Sequence, residues 1–316
     1  MRYRPPKFAS LKDMAYIDVC CLTEDEARAI LEDIRWPKGP ECPHCGSKDL
    51  TRMGTEKARD GLIQCNACRG QFTVMVGTIM QGSHITLRQW LQAFHAMSAS
   101  KKGISALQLK RNLGLKSYKS AWHMAHRIRY AMDNEPAKGL LSGVVAADET
   151  YVGGKPPKDG KRHKRGRGTS KTPVMALIQK NGQARAKAVS SVSARSRKQA
   201  LDKNVTKEAT IMTDELPSYG PATHGYKSHR SMNHSEKEYA RGKAHANGAE
   251  SFFVLLKRGI HGIFHHVSKR HLHRYADEFS FRWSHRKESD GERTVETIKG
   301  IAGKRLAYAQ TVKGAA

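Results

Sequence analysis

The spacing of apolar positions changes several times along this chain, and each change marks an element. Over residues 8–40 the spacing is helical: Ala27, Ile30, Leu31 and Ile34 fall on one face. Thr23 followed by Glu26 is a capping-box pattern that predicts where this helix starts. Trp36-Pro37 and Gly39-Pro40 predict where it stops. Helical spacing returns over residues 86–133, in three pieces. Trp90, Leu91, Phe94 and Met97 form the first stripe; Ile104 to Leu113 is the second helix, ended by Gly114; Ser117 to Met132 is the third. Helix, glycine turn, helix is the outline of a helix-turn-helix. It is also the outline of an ordinary three-helix packing unit with a solvated basic face.

After the linker Glu135-Pro136-Ala137-Lys138-Gly139 the pattern becomes strand-like. Val144 to Val152 is apolar apart from Asp148-Glu149-Thr150, as suits a strand covered on both faces. With a period of two, Asp148 and Glu149 point to opposite faces, so only one of them can reach a given site. Val174 to Ile178, a turn at Asn181-Gly182, and Ala184 to Val192 predict a hairpin. A short helix over residues 196–204 and a strand over Ala209–Thr213 follow, and the strand delivers Asp214 at its end. Ser231 to His234 and Tyr239 suggest one more short polar strand region. Glu250 enters a long helix, residues 268–286 form another with Leu272, Tyr275 and Phe279 as its stripe, and Thr294 to Ile301 is a short last helix.

Charge narrows the partner. Lys and Arg number 56 against 29 Asp and Glu, a net charge of +27 over 316 residues. A chain that positive repels itself unless a polyanion neutralises it, which points to nucleic acid. Lys155 to Lys171 carries eight Lys and Arg against one acid in a Gly- and Pro-rich loop that includes Lys161, Arg162, Lys164, Arg165 and Arg167. Such a loop suits gripping phosphates. Lys119, Arg127 and Arg129 give the third helix of the 86–133 region a basic character, as a groove-reading helix requires. No run approaches the ~18 apolar residues of a membrane span. The N-terminus lacks the apolar stretch of a secretory signal. The expectation is a cytoplasmic, nucleoid-associated protein.

Cysteine spacing gives a first metal. Cys42 and Cys45, then nineteen residues, then Cys65 and Cys68 form two Cys-x2-Cys pairs. Each pair lies on a tight turn that aims two thiolates at one ion, the arrangement of structural Zn2+ in a zinc ribbon. Four thiolates leave no open position for a substrate.

Three acids suggest a second centre. Asp148 and Asp214 lie in or at the end of strand-like runs, and Glu250 lies at a helix start. Carboxylates so placed can converge and hold two hard divalent cations, the chemistry of in-line phosphoryl transfer. Asn247 shares a helix face with Glu250, and Lys257 lies two turns, roughly 10 Å, further along that face.

At these positions the chain resembles the DDE transposases of bacterial insertion sequences, in the ISXO-like group that carries an N-terminal zinc ribbon. The resemblance rests on Cys42-Pro43-His44-Cys45-Gly46-Ser47, Ala147-Asp148-Glu149-Thr150-Tyr151-Val152-Gly153-Gly154, Thr213-Asp214-Glu215, His245-Ala246-Asn247 through Glu250, and Leu256-Lys257-Arg258-Gly259. It implies an α/β, ribonuclease-H-like catalytic core preceded by a zinc ribbon and a helix-turn-helix-like segment. Asp148, Asp214 and Glu250 would hold two Mg2+, with Mn2+ able to substitute. Asn247 would assist, and Lys257 and Arg258 would contact DNA. The implied reaction is cleavage and transfer of double-stranded DNA at element ends, by a homodimer or larger assembly. The expected divisions are a helical segment at 1–40, the ribbon at 41–80, the helix-turn-helix-like region at 84–135, the catalytic domain at 140–288 and a tail at 289–316. Leu216 and Phe253 stand where this family has Trp. A non-catalytic DNA-binding regulator built from the same ribbon and helices is the rival, and such a protein has no need of three converging acids.

Overall fold

Thr23 caps the first long helix through the expected box: its hydroxyl accepts from the Glu26 N–H at 3.3 Å, and its own N–H donates to the Glu26 carboxylate at 2.8 Å. The computed structural model describes residues 10–54, 60–133, 139–154, 169, 171–214, 219–232, 240–241, 244–245 and 247–312. The chain divides into two compact units, residues 1–132 with 287–316 and residues 133–286.

In the first unit, α1 (Tyr16–Cys21) and α2 (Glu24–Arg35) are followed by a three-stranded antiparallel sheet, β1 (Leu50–Arg52), β2 (Ile63–Cys65) and β3 (Gln71–Phe72). Ile63, Phe72, Cys42 and Cys65 form a small core, with Trp36 edge-on to Phe72 at 6.1 Å. Three helices follow: α3 (Leu87–Ala99), α4 (Ala106–Asn112) and α5 (Tyr118–Met132). The Glu24 carboxylate accepts from the N–H groups of Leu87 and Arg88 at 2.6 and 3.0 Å, so the first turn of α2 caps α3. This satisfies two of the orphan donors that every helix start leaves. Gly114, at φ +62°, makes the left-handed turn that lets the chain leave α4 and enter α5.

The second unit is built on a five-stranded sheet of β4 (Val144–Val152), β5 (Thr172–Gln179), β6 (Ala184–Ala188), β7 (Thr210–Asp214) and β8 (Ser228–Met232), in the order β6-β5-β4-β7-β8. β4, β5 and β6 run antiparallel, while β4, β7 and β8 run parallel. That is the ribonuclease-H arrangement. α6 (Ala194–Asn204) precedes β7 and α7 (Tyr219–Ala222) follows it. A two-stranded ribbon, β9 (Ala240–Arg241) and β10 (Ala244–His245), leads into α8 (Asn247–Gly259), and α9 (Leu272–Ser284) completes the unit. Alternate strand residues feed two cores, as a period of two requires. Ala146, Ala176 and Met212 pack with Phe252, Leu256 and Phe279 of α8 and α9, while Val145, Ala147 and Ile211 pack with Leu201 and Tyr219.

The second hairpin strand stops at Ala188 rather than at the expected 192. Its outer N–H groups are not left open. Ala186 donates to Ser280 Oγ at 2.9 Å and Ala184 to Ser284 Oγ at 3.1 Å. Two hydroxyls on α9 thus act as the missing neighbour strand.

The expected tail is instead part of the first unit's core. α10 (Asp290–Lys299) buries Val295 and Ile298, and α11 (Tyr308–Val312) follows it. Gly291 and Gly300 explain how α10 docks. A Cβ at Gly291 would overlap the Lys12 carbonyl, and one at Gly300 would overlap the Ala131 carbonyl. Among the described residues no helix is long and apolar enough to cross a membrane.

Candidate functional site

The four predicted thiols converge. Cys42 and Cys68 Sγ lie 3.6 Å apart, as do Cys45 and Cys65 Sγ. Among the described residues these four form the one group of three or more potential ligands whose donor atoms all lie within 4.8 Å of one another. Four sulfurs at that spacing suit tetrahedral zinc, and the hairpin of β2 and β3 with the turn at Gly46 builds the cage.

Asp148 and Asp214 meet through sheet register. β4 and β7 run parallel with Ala146 opposite Met212. Two residues beyond that last pair, Asp148 and Asp214 project from the same face of the sheet on neighbouring strands. That face is the one covered by α8, since Ala146 and Met212 share a core with Phe252 and Leu256. Glu250 lies in the first turn of α8 and is exposed.

Asp148 feels the charge of the other two acids. Burial pushes the Asp148 carboxyl up to about 6, opposed by a hydrogen bond from the Glu149 N–H to Oδ1 at 2.7 Å and reinforced by the charges of Asp214, Glu149 and Glu250. A carboxylate raised by its acidic neighbours marks a set with too much negative charge of its own. A hard divalent cation is the fitting counter-charge, and an all-oxygen donor set suits Mg2+ or Mn2+. The carboxylate oxygens are spaced more widely than the thiols, since they do not all fall within 4.8 Å.

Asn247 is the first residue of α8, and its side chain lies outside the described residues. Lys257 and Arg258 are exposed on α8 beyond Glu250. Lys161, Arg162, Lys164, Arg165 and Arg167 of the basic loop all lie outside the described residues.

The basic face expected of α5 is corrected. Lys119 is exposed, its ammonium 4.2 Å from the centre of the Tyr308 ring. Arg127 and Arg129, expected to face a DNA groove, are 9% and 2% exposed. Arg127 Nε donates to the Leu306 carbonyl at 3.1 Å. From Ala121 onward α5 is a core helix, covered by α3, α10 and the segment after α10, so its arginines cannot read base edges. Only its first turn, Tyr118 to Ser120, is fully open.

A second cluster escaped the sequence. Glu149, on the opposite face of β4 from Asp148, pairs with Arg197 of α6 and accepts from the Tyr219 hydroxyl at 2.7 Å. Arg197 lies 4.5 Å from the Tyr219 ring centre, and both residues are fully buried. The Asp-Glu doublet was the only available signal, because the two partners lie 48 and 70 positions away.

Residues 140–284 match the ISXO2-like transposase domain, and residues 22–71 match the transposase zinc-ribbon domain. Over 274 residues the chain is 27% identical to an uncharacterized protein in transposable element ISH50 of Halobacterium salinarum, covering 83% of this chain and 91% of that one. Among solved structures it is similar to a pre-cleavage Mos1 transpososome, at 15% identity and a TM-score of 0.24 over 69% of this chain and 79% of that one. The Mos1 strand transfer complex is similar at 14% identity and the same TM-score, over 69% and 78% of the two chains.

Proposed function

Because this chain belongs to the ISXO2-like transposases of insertion sequences, with their zinc ribbon and their transposase domain, we propose that it binds element ends and catalyses metal-dependent cleavage and transfer of DNA strands. The observation that carries this reading is the placement of Asp148 and Asp214 on one face of parallel neighbours β4 and β7, with the charge of Glu250 felt at Asp148.

Asp148, Asp214 and Glu250 would together hold two Mg2+. Bound there, the ions supply a polarised water and charge stabilisation at the leaving oxygen. The chain's own part is to orient. β4 and β7 fix two carboxylates on one face, and α8 brings the third across the same core. Lys257, exposed on α8, would steady the phosphate backbone of the DNA end, and Asn247 would assist at the helix start. In the first step water attacks the scissile phosphorus and the 3′ oxygen leaves as a hydroxyl. In the second that hydroxyl attacks a target phosphodiester and displaces its 3′ oxygen. Phosphorus is never bonded to the protein. The division of labour follows: residues 41–80 and 84–135 bring DNA, residues 140–288 do the chemistry, and two copies or more handle two ends.

Single changes Asp148→Asn, Asp214→Asn and Glu250→Gln test this, with strand cleavage and joining assayed in Mg2+ and DNA binding assayed in parallel. Each should lose at least ~100-fold in cleavage while still binding DNA. Full activity in any one of them removes that residue from the site. Salt-sensitive DNA binding by the unaltered chain, with no cleavage under any divalent ion, would instead identify a regulator.

A further inference from the structure

Beside α5 lies a cavity of about 180 Å³ whose lining includes Ser83, His84, Trp90, Ser120, His123 and Arg127. No carboxylate lines it. Its volume is below the ~300 Å³ at which small-molecule pockets begin, so it suits a single polar group rather than a cofactor.

Arg127 and Ser83 supply its donors. Arg127 is 9% exposed; its Nε is used by the Leu306 carbonyl, and no carboxylate among the described residues pairs with it. A guanidinium so far from water is costly unless an anion answers it. Ser83 Oγ accepts twice, from the Ile85 N–H at 3.2 Å and from Trp90 Nε1 at 3.3 Å. Both lone pairs are thereby occupied, and the hydroxyl proton remains to be donated. His123 Nε2 lies 3.1 Å from the Leu306 carbonyl, so this nitrogen carries a proton too. The charge of exposed Arg305 reaches Arg127 and, with burial, lowers its pKa. The two guanidiniums thus repel each other.

We propose that this cavity holds one phosphate group of a DNA backbone, gripped by Arg127, Ser83 and the Ser120 hydroxyl at the open first turn of α5. This rests on the reading that the chain acts on DNA, and deepens it. Arg127 then positions the duplex and carries no sequence information, because phosphate contacts set register while base contacts specify.

The test uses the full-length, zinc-loaded protein and short duplexes of unrelated sequence, with binding followed by fluorescence anisotropy across a salt series. Arg127→Met removes the central donor. Ser120→Asp puts a negative charge at the exposed rim without touching the core, so it stays informative if the first variant melts early or loses zinc. Each should weaken binding about tenfold, equally for every duplex. Each should also flatten the dependence of log K on log salt by about 0.9, the loss of one phosphate contact. Wild-type affinity and slope in both variants would overturn the proposal while leaving the DNA-acting reading intact. Absence of any salt-dependent binding by the unaltered chain would overturn both. Calorimetric titration with inorganic phosphate separates the remaining source. Phosphate bound by the unaltered chain and lost in Arg127→Met, with duplex affinity unchanged, would make this a free-phosphate site and end the backbone assignment.

Discussion

Glu149 and Arg197 pair directly beneath Asp148, their side chains 5% and 1% exposed, on the opposite face of the same strand. The pair ties α6 to β4 one residue from the proposed metal ligand. Tyr219, bonded to the same carboxylate, lies five positions after Asp214. One buried acid therefore anchors both strands that present acids on the other face. Removing one member of such a pair leaves an uncompensated buried charge, which typically costs about 3–5 kcal/mol. Glu149→Ala should lower stability by roughly that amount in urea unfolding. Glu149→Leu combined with Arg197→Met should lower it less than the single change. Equal losses in the single and double variants would show that the pair carries no special burial cost.

The raised pKa of Asp148 gives a pH dependence with a definite sign. A carboxyl whose pKa is higher in the fold than in the unfolded chain favours the fold while protonated. The stabilisation is complete below the ordinary value, ~4, and is lost as pH rises through about 6. Without divalent ions, stability should therefore decline between about pH 5 and about pH 7.5 by on the order of 1 kcal/mol from this group. Asp148→Asn should lack that decline, and excess Mn2+ should abolish it in the unaltered chain. Parallel stability curves for chain and variant, measured by chemical denaturation across this range, would rule out Asp148 as the source.

Zinc removal should act on the ribbon. The ribbon's own apolar core is small, Ile63 and Phe72 with Trp36 against them, beside four sulfurs within 4.8 Å of one another. Small domains of this kind draw most of their folding energy from the metal. Cys45→Ser or Cys68→Ser should reduce bound zinc several-fold in a colorimetric release assay. Each should also open residues 41–72 to rapid proteolysis. Normal zinc content in both variants would contradict the four-thiolate site.

The docking of α10 makes a packing prediction. A methyl at Gly300 overlaps the Ala131 carbonyl, and one at Gly291 overlaps the Lys12 carbonyl. Backbone cannot move aside as a flexible side chain can. Gly291→Ala and Gly300→Ala should each destabilise the first unit by about 1–3 kcal/mol, even though alanine is the better helix former. A rise in melting temperature in either variant would mean that α10 is held less closely.

Legibility followed the range of the interactions. β4 was visible at full length because Val144–Val152 is a run of apolar residues broken only at its chemical centre. The α2 cap and the four thiols were visible because each is written within a few neighbouring residues. Asp148 and Asp214 were nameable, but that they share a face on neighbouring strands depends on parallel pairing of β4 with β7, which sequence spacing does not encode. Arginine misled. Charge usually lies at the surface, yet α5 is covered around most of its circumference and Arg127 and Arg129 bury their length. The expected tail misled for the converse reason: nothing in Gly291 or Gly300 alone announces a backbone contact some 170 or more positions away.

The serine pair on α9 limits how copies of this chain can join. With Ser280 and Ser284 occupying the N–H groups of Ala186 and Ala184, the outer margin of β6 offers an incoming strand fewer free donors. Continuous intermolecular sheets are the route by which exposed margins lead to fibres. Copies of this chain that meet at high local concentration are thereby steered towards reversible contacts made elsewhere on the surface.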